Sequence, residues 1–205
     1  MTKSVETWLQ ELADRTPTPG GGGAAALTAA ISAALIGMVT AYTTGEKWQD
    51  TEARMKELNA EAAELRAAAL GLVAEDEAAF AAVGAAYRRP RGTDAEKSER
   101  AAAIQAALVE AAQPPARVAR VARRLVDIAG ELVESGNPNV VSDVGVASAT
   151  AQAALQGAVL NIEINLRQIT DRQAGTDLRA EVALATDSIE RAGAVTERVR
   201  EAIAR

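Results

Sequence analysis

Thirty residues without a charge lie between Arg15 and Glu46. Most are Ala, Gly, Thr and Ser, with a few Leu, Ile, Val and Met. A helix on the surface of a globular protein needs a polar face, and this stretch offers none that is charged. Strands favour β-branched and aromatic residues, whereas alanine dominates this chain and aromatics make up 2% of it. The stretch is long enough to span a bilayer. Alanine contributes little to insertion, however, and a Pro-Gly front end leaves backbone groups that lipid cannot satisfy. The expectation is a central helix, about Gly23 to Thr43, buried nearly all round by other helices, with no membrane partner.

Helical spacing accounts for the rest of the chain. Ser4 to Ala13 puts Val5, Trp8, Leu9 and Leu12 on one face, and the Pro-Gly segment breaks it. Lys47 to Arg88 reads as one long or kinked helix. Thr93-Asp94 caps the next, and Pro114-Pro115 interrupts it or begins another. Val118, Val121, Ala122, Leu125, Ile128, Ala129 and Leu132 form an apolar stripe that "ESGNPN" ends. Ser142 opens a helix to about Asp171. Asp177 to Ala204 carries Leu178, Val182, Ala185, Ile189 and Ala192, a seam for a partner helix. The fold expected is an all-α antiparallel bundle of six or seven helices, a single domain over residues 1–205.

The 205 residues include neither cysteine nor histidine. Disulfides, thiolate catalysis, zinc sites and serine-histidine triads are excluded, so acid-base chemistry falls to Asp, Glu, Lys, Tyr or water. A net charge of -6 with scattered basic residues argues against a nucleic-acid partner. Met1 to Asp14 is polar and amphipathic, unlike a signal peptide, and with the absence of cysteine this gives a cytoplasmic expectation.

Three features depart from a plain bundle. "TPTPGGGGAAA" places four glycines before a helix. Glycine permits positive φ and close approach of a ligand to backbone, and a helix start offers free N–H groups, so the run is either an anion- or ring-binding loop or a flexible turn. In "GNPNVVSDVGVA", Asp143 falls in the first turn after a Ser142 cap. There it either stabilises its own helix dipole or moves protons from a rigid helix start. In "LNIEINLRQ", Asn161 and Asn165 share a face four residues apart and bond either another helix or a ligand. Asp143 and Asn161 are five turns apart, roughly 27 Å along an unbroken helix. Either the ligand is long or a symmetric dimer brings opposite ends together; with an apolar second helix that needs cover on every side, the expected state is a homodimer whose sites involve the interface.

Together these motifs resemble the cyclodeaminase/cyclohydrolase family of folate enzymes. "TPTPGGGG" is similar to its Pro-x-Pro-Gly-Gly-Gly signature, and "GNPNVVSDVG" with "NIEIN" to its Gly-Asn-x-Asn, Ser-Asp-x-Gly and Asn-x-x-x-Asn block. "AAYRRPRGTDAEKSERAAAIQAAL" resembles the middle region, so the likeness runs from Val5 to nearly the end. A lysine-rich Gly-Lys-Lys-Lys-Tyr stretch of the family is "TGEKWQD" here, which keeps Gly45 and Lys47 only. The resemblance implies methenyltetrahydrofolate cyclohydrolase activity. Formiminotetrahydrofolate cyclodeaminase activity is the alternative, and a non-catalytic helical interaction module the reading outside enzymology. It implies Asp143 as the catalytic acid-base group. Pro19, Gly20, Gly21, Gly22, Lys47, Asn139, Ser142, Asn161 and Asn165 would bind substrate. Beyond the folate substrate it implies no metal or redox cofactor.

Overall fold

The computed structural model describes residues 3–204, which contain seven α-helices and no strand. They are α1 (Val5–Ala13), α2 (Gly21–Ala41), α3 (Glu52–Tyr87), α4 (Asp94–Ala111), α5 (Gln113–Ser135), α6 (Val141–Leu166) and α7 (Arg172–Ile203). Short 3-10 turns occupy Glu46–Trp48 and Pro138–Val140. The expected all-α bundle is what the chain forms. Among the described residues α2 is the one helix long and apolar enough to cross a membrane. It packs along α3, α5 and α6, with Ala26, Ala29, Ala33, Ile36 and Val39 buried. Small residues allow this closeness. The Ser32 hydroxyl donates to the Ala147 carbonyl at 2.8 Å, and a methyl added to Gly157 would lie 3.0 Å from the Ala25 Cβ.

Local chemistry sets the ends. Ser4 caps α1 by accepting from the Thr7 amide at 3.1 Å, and Thr93 and Glu96 form a capping box on α4. Pro114-Pro115 begins a new helix, since the first turn of α5 has no use for their missing N–H groups. Several boundaries differ from expectation, among them the end of α2 at Ala41 and the start of α6 at Val141 with Val140, not Ser142, at its N-cap. α2 starts at Gly21, two residues early, because glycine helices form when their neighbours hold them. The expected helix from Lys47 is a 3-10 turn followed by α3 from Glu52. α6 stops at Leu166, and α7 begins at Arg172 because Asp171 caps it, accepting from the Ala174 amide at 2.9 Å.

The bundle has two contrasting sides. On one, ion pairs link neighbouring helices. Arg124–Glu61, Arg54–Glu131 and Arg117–Glu75 join α5 and α3, while Arg123–Glu181, Arg191–Asp127 and Arg198–Glu134 join α5 and α7. Partly exposed pairs of this kind add little stability each, but they fix register. On the other side α2 and α6 lie together, and each leaves an uncharged stripe in solvent, including Ile31, Tyr42, Val146, Leu160 and Ile164. The C-terminal seam finds its partners within the chain. Leu178, Ala185 and Ala192 are buried as α7 packs on α5 and α6, and Ser148 and Gln152 of α6 donate to the Ala192 and Ile189 carbonyls. It is therefore not free for a partner helix.

Candidate functional site

The glycine run is built for close approach rather than unusual torsions. None of Gly20 to Gly23 has positive φ; among the described residues only Gly45 does. Gly20 is the extended N-cap of α2, with no side chain capping the helix. Gly21 to Gly23 form its first turn, where amides lack intrahelical acceptors. Each meets a different neighbour. A Cβ on Gly21 would lie 3.6 Å from Asn161 Nδ2, one on Gly23 would touch the Trp8 ring at 3.4 Å, and one on Gly22 would overlap the Asp76 carboxylate.

Asp76 thus comes from the middle of α3 to face the start of α2. It is half-buried, and burial pushes its carboxyl above the usual aspartate range. The Gly23 backbone N–H opposes this by bonding the carboxylate, while Glu77 adds to it. An aspartate with raised proton affinity on the wall of a cleft can exchange protons with a bound water.

The cleft encloses about 250 Å³. Gly20 to Gly22 form its floor, Asp76, Phe80 and Tyr87 of α3 one wall, and Asn161, Ile164 and Asn165 of α6 the other. Asn161 and Asn165 donate their Nδ2 groups to the Gly157 and Asn161 carbonyls of their own helix, both at 2.8 Å. Their side-chain oxygens are left as acceptors for the cleft. Tyr87 donates to Gln168 Oε1 at 2.7 Å and bridges the two walls.

Of the residues singled out in the sequence, Gly20, Gly21, Gly22, Asn161 and Asn165 meet in this cleft, and Pro19 adjoins it after a cis Thr18–Pro19 bond. The others do not. α6 runs unbroken from Val141 to Leu166, so Asp143 lies at the opposite end of the bundle. This is the separation that the helical rise implied, and it keeps Asp143 out of the glycine cleft of its own chain. Ser142 and Asn139 line a second, shallower hollow of about 710 Å³ with Trp48, and Lys47 is exposed next to Trp48. Here "GNPN" does structural work. Asn137 accepts from the Asn139 amide at 3.0 Å and donates from Nδ2 to the Tyr42 carbonyl at 2.9 Å, tying the start of α6 to the end of α2. Asp76, Phe80, Tyr87 and Gln168 were not foreseen. Asp76 stands between Glu75 and Glu77, a run that reads as a solvated face. Its one cue is that aspartate is a poorer helix former than glutamate.

A helical bundle that aims a half-buried carboxylate at the bare N-terminus of a glycine helix is a small-molecule site of the acid-base class. The formiminotransferase-cyclodeaminase family model matches residues 4–184, and the chain belongs to that family. It is 41% identical over 202 residues to a methenyltetrahydrofolate cyclohydrolase of Methylorubrum extorquens, covering 98% of this chain and 96% of that one. It is 34% identical over 169 residues to rat formimidoyltransferase-cyclodeaminase, of which it spans 31%. A crystal structure of formiminotetrahydrofolate cyclodeaminase from Thermotoga maritima superposes with a TM-score of 0.85 at 30% identity, covering 98% of this chain and 96% of that one.

Proposed function

We propose that the protein is a methenyltetrahydrofolate cyclohydrolase that opens the cyclic amidinium of its substrate to formyltetrahydrofolate. The observation that carries the reading is Asp76 at the glycine floor, in a chain whose full length aligns with a cyclohydrolase. The ring end of the folate occupies the cleft. Asp76 as carboxylate faces the cationic amidinium and takes a proton from the attacking water. The water oxygen bonds to the bridging carbon; the tetrahedral centre then collapses to the formyl group, its hydroxyl proton passing to solvent as one C–N bond breaks. Asp76 then returns the proton to the leaving nitrogen. The α2 amides and the Asn161 and Asn165 oxygens bond the pterin's acceptors and donors. We place Asp76 in the role first expected of Asp143.

A cytoplasmic homodimer completes the proposal. A second copy covers the α2/α6 face, where α2 has no charge and α6 has none between Asp143 and Glu163. Leu160 is 67% exposed there, and an uncharged face this apolar is costly to leave in water. Leu160→Glu is expected to convert the dimer to monomer in sedimentation equilibrium; a wild type that sediments as a monomer ends this part.

The methenyl chromophore gives the main test. Cyclohydrolase activity bleaches it on adding protein. Appearance of the chromophore from formiminotetrahydrofolate, without bleaching of methenyltetrahydrofolate, would establish the cyclodeaminase reading that the Thermotoga neighbour favours. No change with either folate would reject both.

A further inference from the structure

We propose that Trp8 is a positioning residue for the reaction: its indole is a wedge behind the glycine floor that holds the Gly23 amide on the Asp76 carboxylate. It rests on the acid-base role given to Asp76 above. Consecutive glycines are the hardest residues to hold in a helix, because each gives up the most backbone freedom. The first turn of α2 must stay helical for its amides to point at the cleft, yet no side chain caps it. Support has to come from tertiary neighbours, and there the glycines divide. Gly20 has nothing within 4 Å of where a Cβ would stand, while Gly21 and Gly22 face the polar side chains of Asn161 and Asp76. Gly23 rests on apolar groups, with Trp8 Cζ2 at 3.4 Å and Val73 Cγ1 at 3.7 Å from its Cβ position.

Gly23 is also the glycine whose N–H bonds the Asp76 carboxylate. Val73 and Asp76 are three residues apart on one face of α3, so this stretch of helix supplies both a jaw that grips Gly23 and the carboxylate that its amide meets. Trp8 is the other jaw. It is the buried residue of α1, whose Val5 and Leu9 stay in solvent. Trp8 Nε1 is the one buried side-chain nitrogen or oxygen among the described residues without a hydrogen-bond partner. A buried orphan donor is unfavourable, and a phenyl ring would avoid it. What the indole contributes here is therefore its ring, which meets Gly23 through Cζ2.

The wedge reaches the chemistry through this amide. With the Gly23 N–H held on it, the charged form of Asp76 is favoured against the burial and the Glu77 charge that oppose it. Few other charges stand near. Glu77 lies beside Asp76 on α3, and Lys3 from the α1 side bonds Glu11 and feels Glu77. The described residues that line the cleft from α2, α4, α5 and α6 are uncharged. No lysine or arginine among them offsets a lost amide. Freeing Gly23 therefore raises the proton affinity of Asp76 and lets the carboxylate stray from the water it serves.

The test uses Trp8→Leu, which keeps the position apolar but gives up the ring, and Trp8→Phe, which keeps a ring and drops the orphan N–H. NMR titration of the Asp76 carboxyl carbon, identified by its loss in Asp76→Asn, reads the tie without turnover. The expectation is a midpoint in Trp8→Leu above that of wild type, a Trp8→Phe midpoint equal to wild type, and kcat/KM about tenfold lower in Trp8→Leu. Gly23→Ala stiffens the same turn with a methyl in ordinary contact with its neighbours. Added to Trp8→Leu, it should return the midpoint and most of the activity. Should Trp8→Leu fail to fold, Trp8→Met takes its place with the same expectations. A Trp8→Leu protein that keeps the wild-type midpoint would overturn the proposal, whatever its melting temperature, and so would a Trp8→Phe that behaves like Trp8→Leu. A raised midpoint in a protein whose wild type bleaches no methenyltetrahydrofolate would reject the cyclohydrolase and leave the hold of Trp8 on Asp76 standing.

Discussion

Asp76 and Asp143 each stand at the N-terminus of a helix, but not in the same sense. Asp143 sits in the first turn of its own helix, α6, where the dipole gives an acidic residue a routine purpose. Asp76 belongs to α3 and meets the start of α2, a helix remote from it in sequence, and it does so half-buried. The first arrangement is local and its cost is low. The second exists only because Gly22 has no side chain where the Asp76 carboxylate sits, and it leaves a carboxylate whose charged form burial disfavours. Chemistry is concentrated where an ionisable group is held against its preference.

The largest expected effect follows from this contrast. Asp76→Asn should lower kcat/KM by roughly a hundredfold or more, because an amide cannot accept the proton of water. Asp143→Asn should change it by no more than about twofold and cost at most ~1 kcal/mol of stability from the weakened dipole interaction. Turnover and melting temperature on both variants check this. The reverse order would dissolve the contrast and bring the partner subunit's copy of the α6 start into the site.

Next in size is the glycine floor. Gly22→Ala overlaps the Asp76 carboxylate and should cost about 1–3 kcal/mol, together with most of the activity. Gly20→Ala meets nothing within 4 Å and should leave the unfolding free energy within about 0.5 kcal/mol of wild type. Denaturant titration of the pair distinguishes close approach from mere turn flexibility. A smaller change is expected at the far wall. Asn161→Ala removes one acceptor and should raise KM by about tenfold with less effect on kcat.

The smallest effect is one of stability against pH. A carboxyl with a raised folded pKa stabilises the fold when protonated. That contribution is present below the ordinary aspartate value of 3.8 and is lost as pH rises through the folded pKa. Asp76→Asn should therefore raise the melting temperature at neutral pH, and the difference should shrink on acidification. Glu61 and Glu131 act in the opposite direction. Hydrogen bonds from Arg124 and Arg54 hold their carboxyls below the usual glutamate range, so their contribution is lost as pH falls through the folded pKa. Melting curves of wild type and Asp76→Asn across the acid range test both signs.

The bundle was legible because its determinants are periodic and local. The α5 stripe, the Thr93 cap and the charge-free central helix each follow from neighbours within a few turns. Half the site was legible for the same reason, since Gly20 to Gly22 and Asn161 with Asn165 interrupt an otherwise regular pattern. Asp76 was not, because nothing near "AEDEAAF" records that α2 will arrive opposite it. Asp143 drew attention for the converse reason: a helix start marks itself in sequence whether or not it has chemistry to perform. The C-terminal seam shows the same limit, since the spacing marks a face that needs cover without saying that α5 and α6 supply it.

The bare first turn of α2 has a consequence for how such a site can diversify. Gly21, Gly22 and Gly23 present main chain to the cleft and its supports, and each faces an occupied neighbour: Asn161, Asp76 and Trp8. Main-chain amides are the same in every residue but proline, so substitution has no side chain there to retune, only room to lose. New substrate preferences would have to be written on the side walls, where Phe80 of α3 and Ile164 of α6 project partly into solvent. The floor then behaves as a fixed electrode, and selection acts on the walls around it.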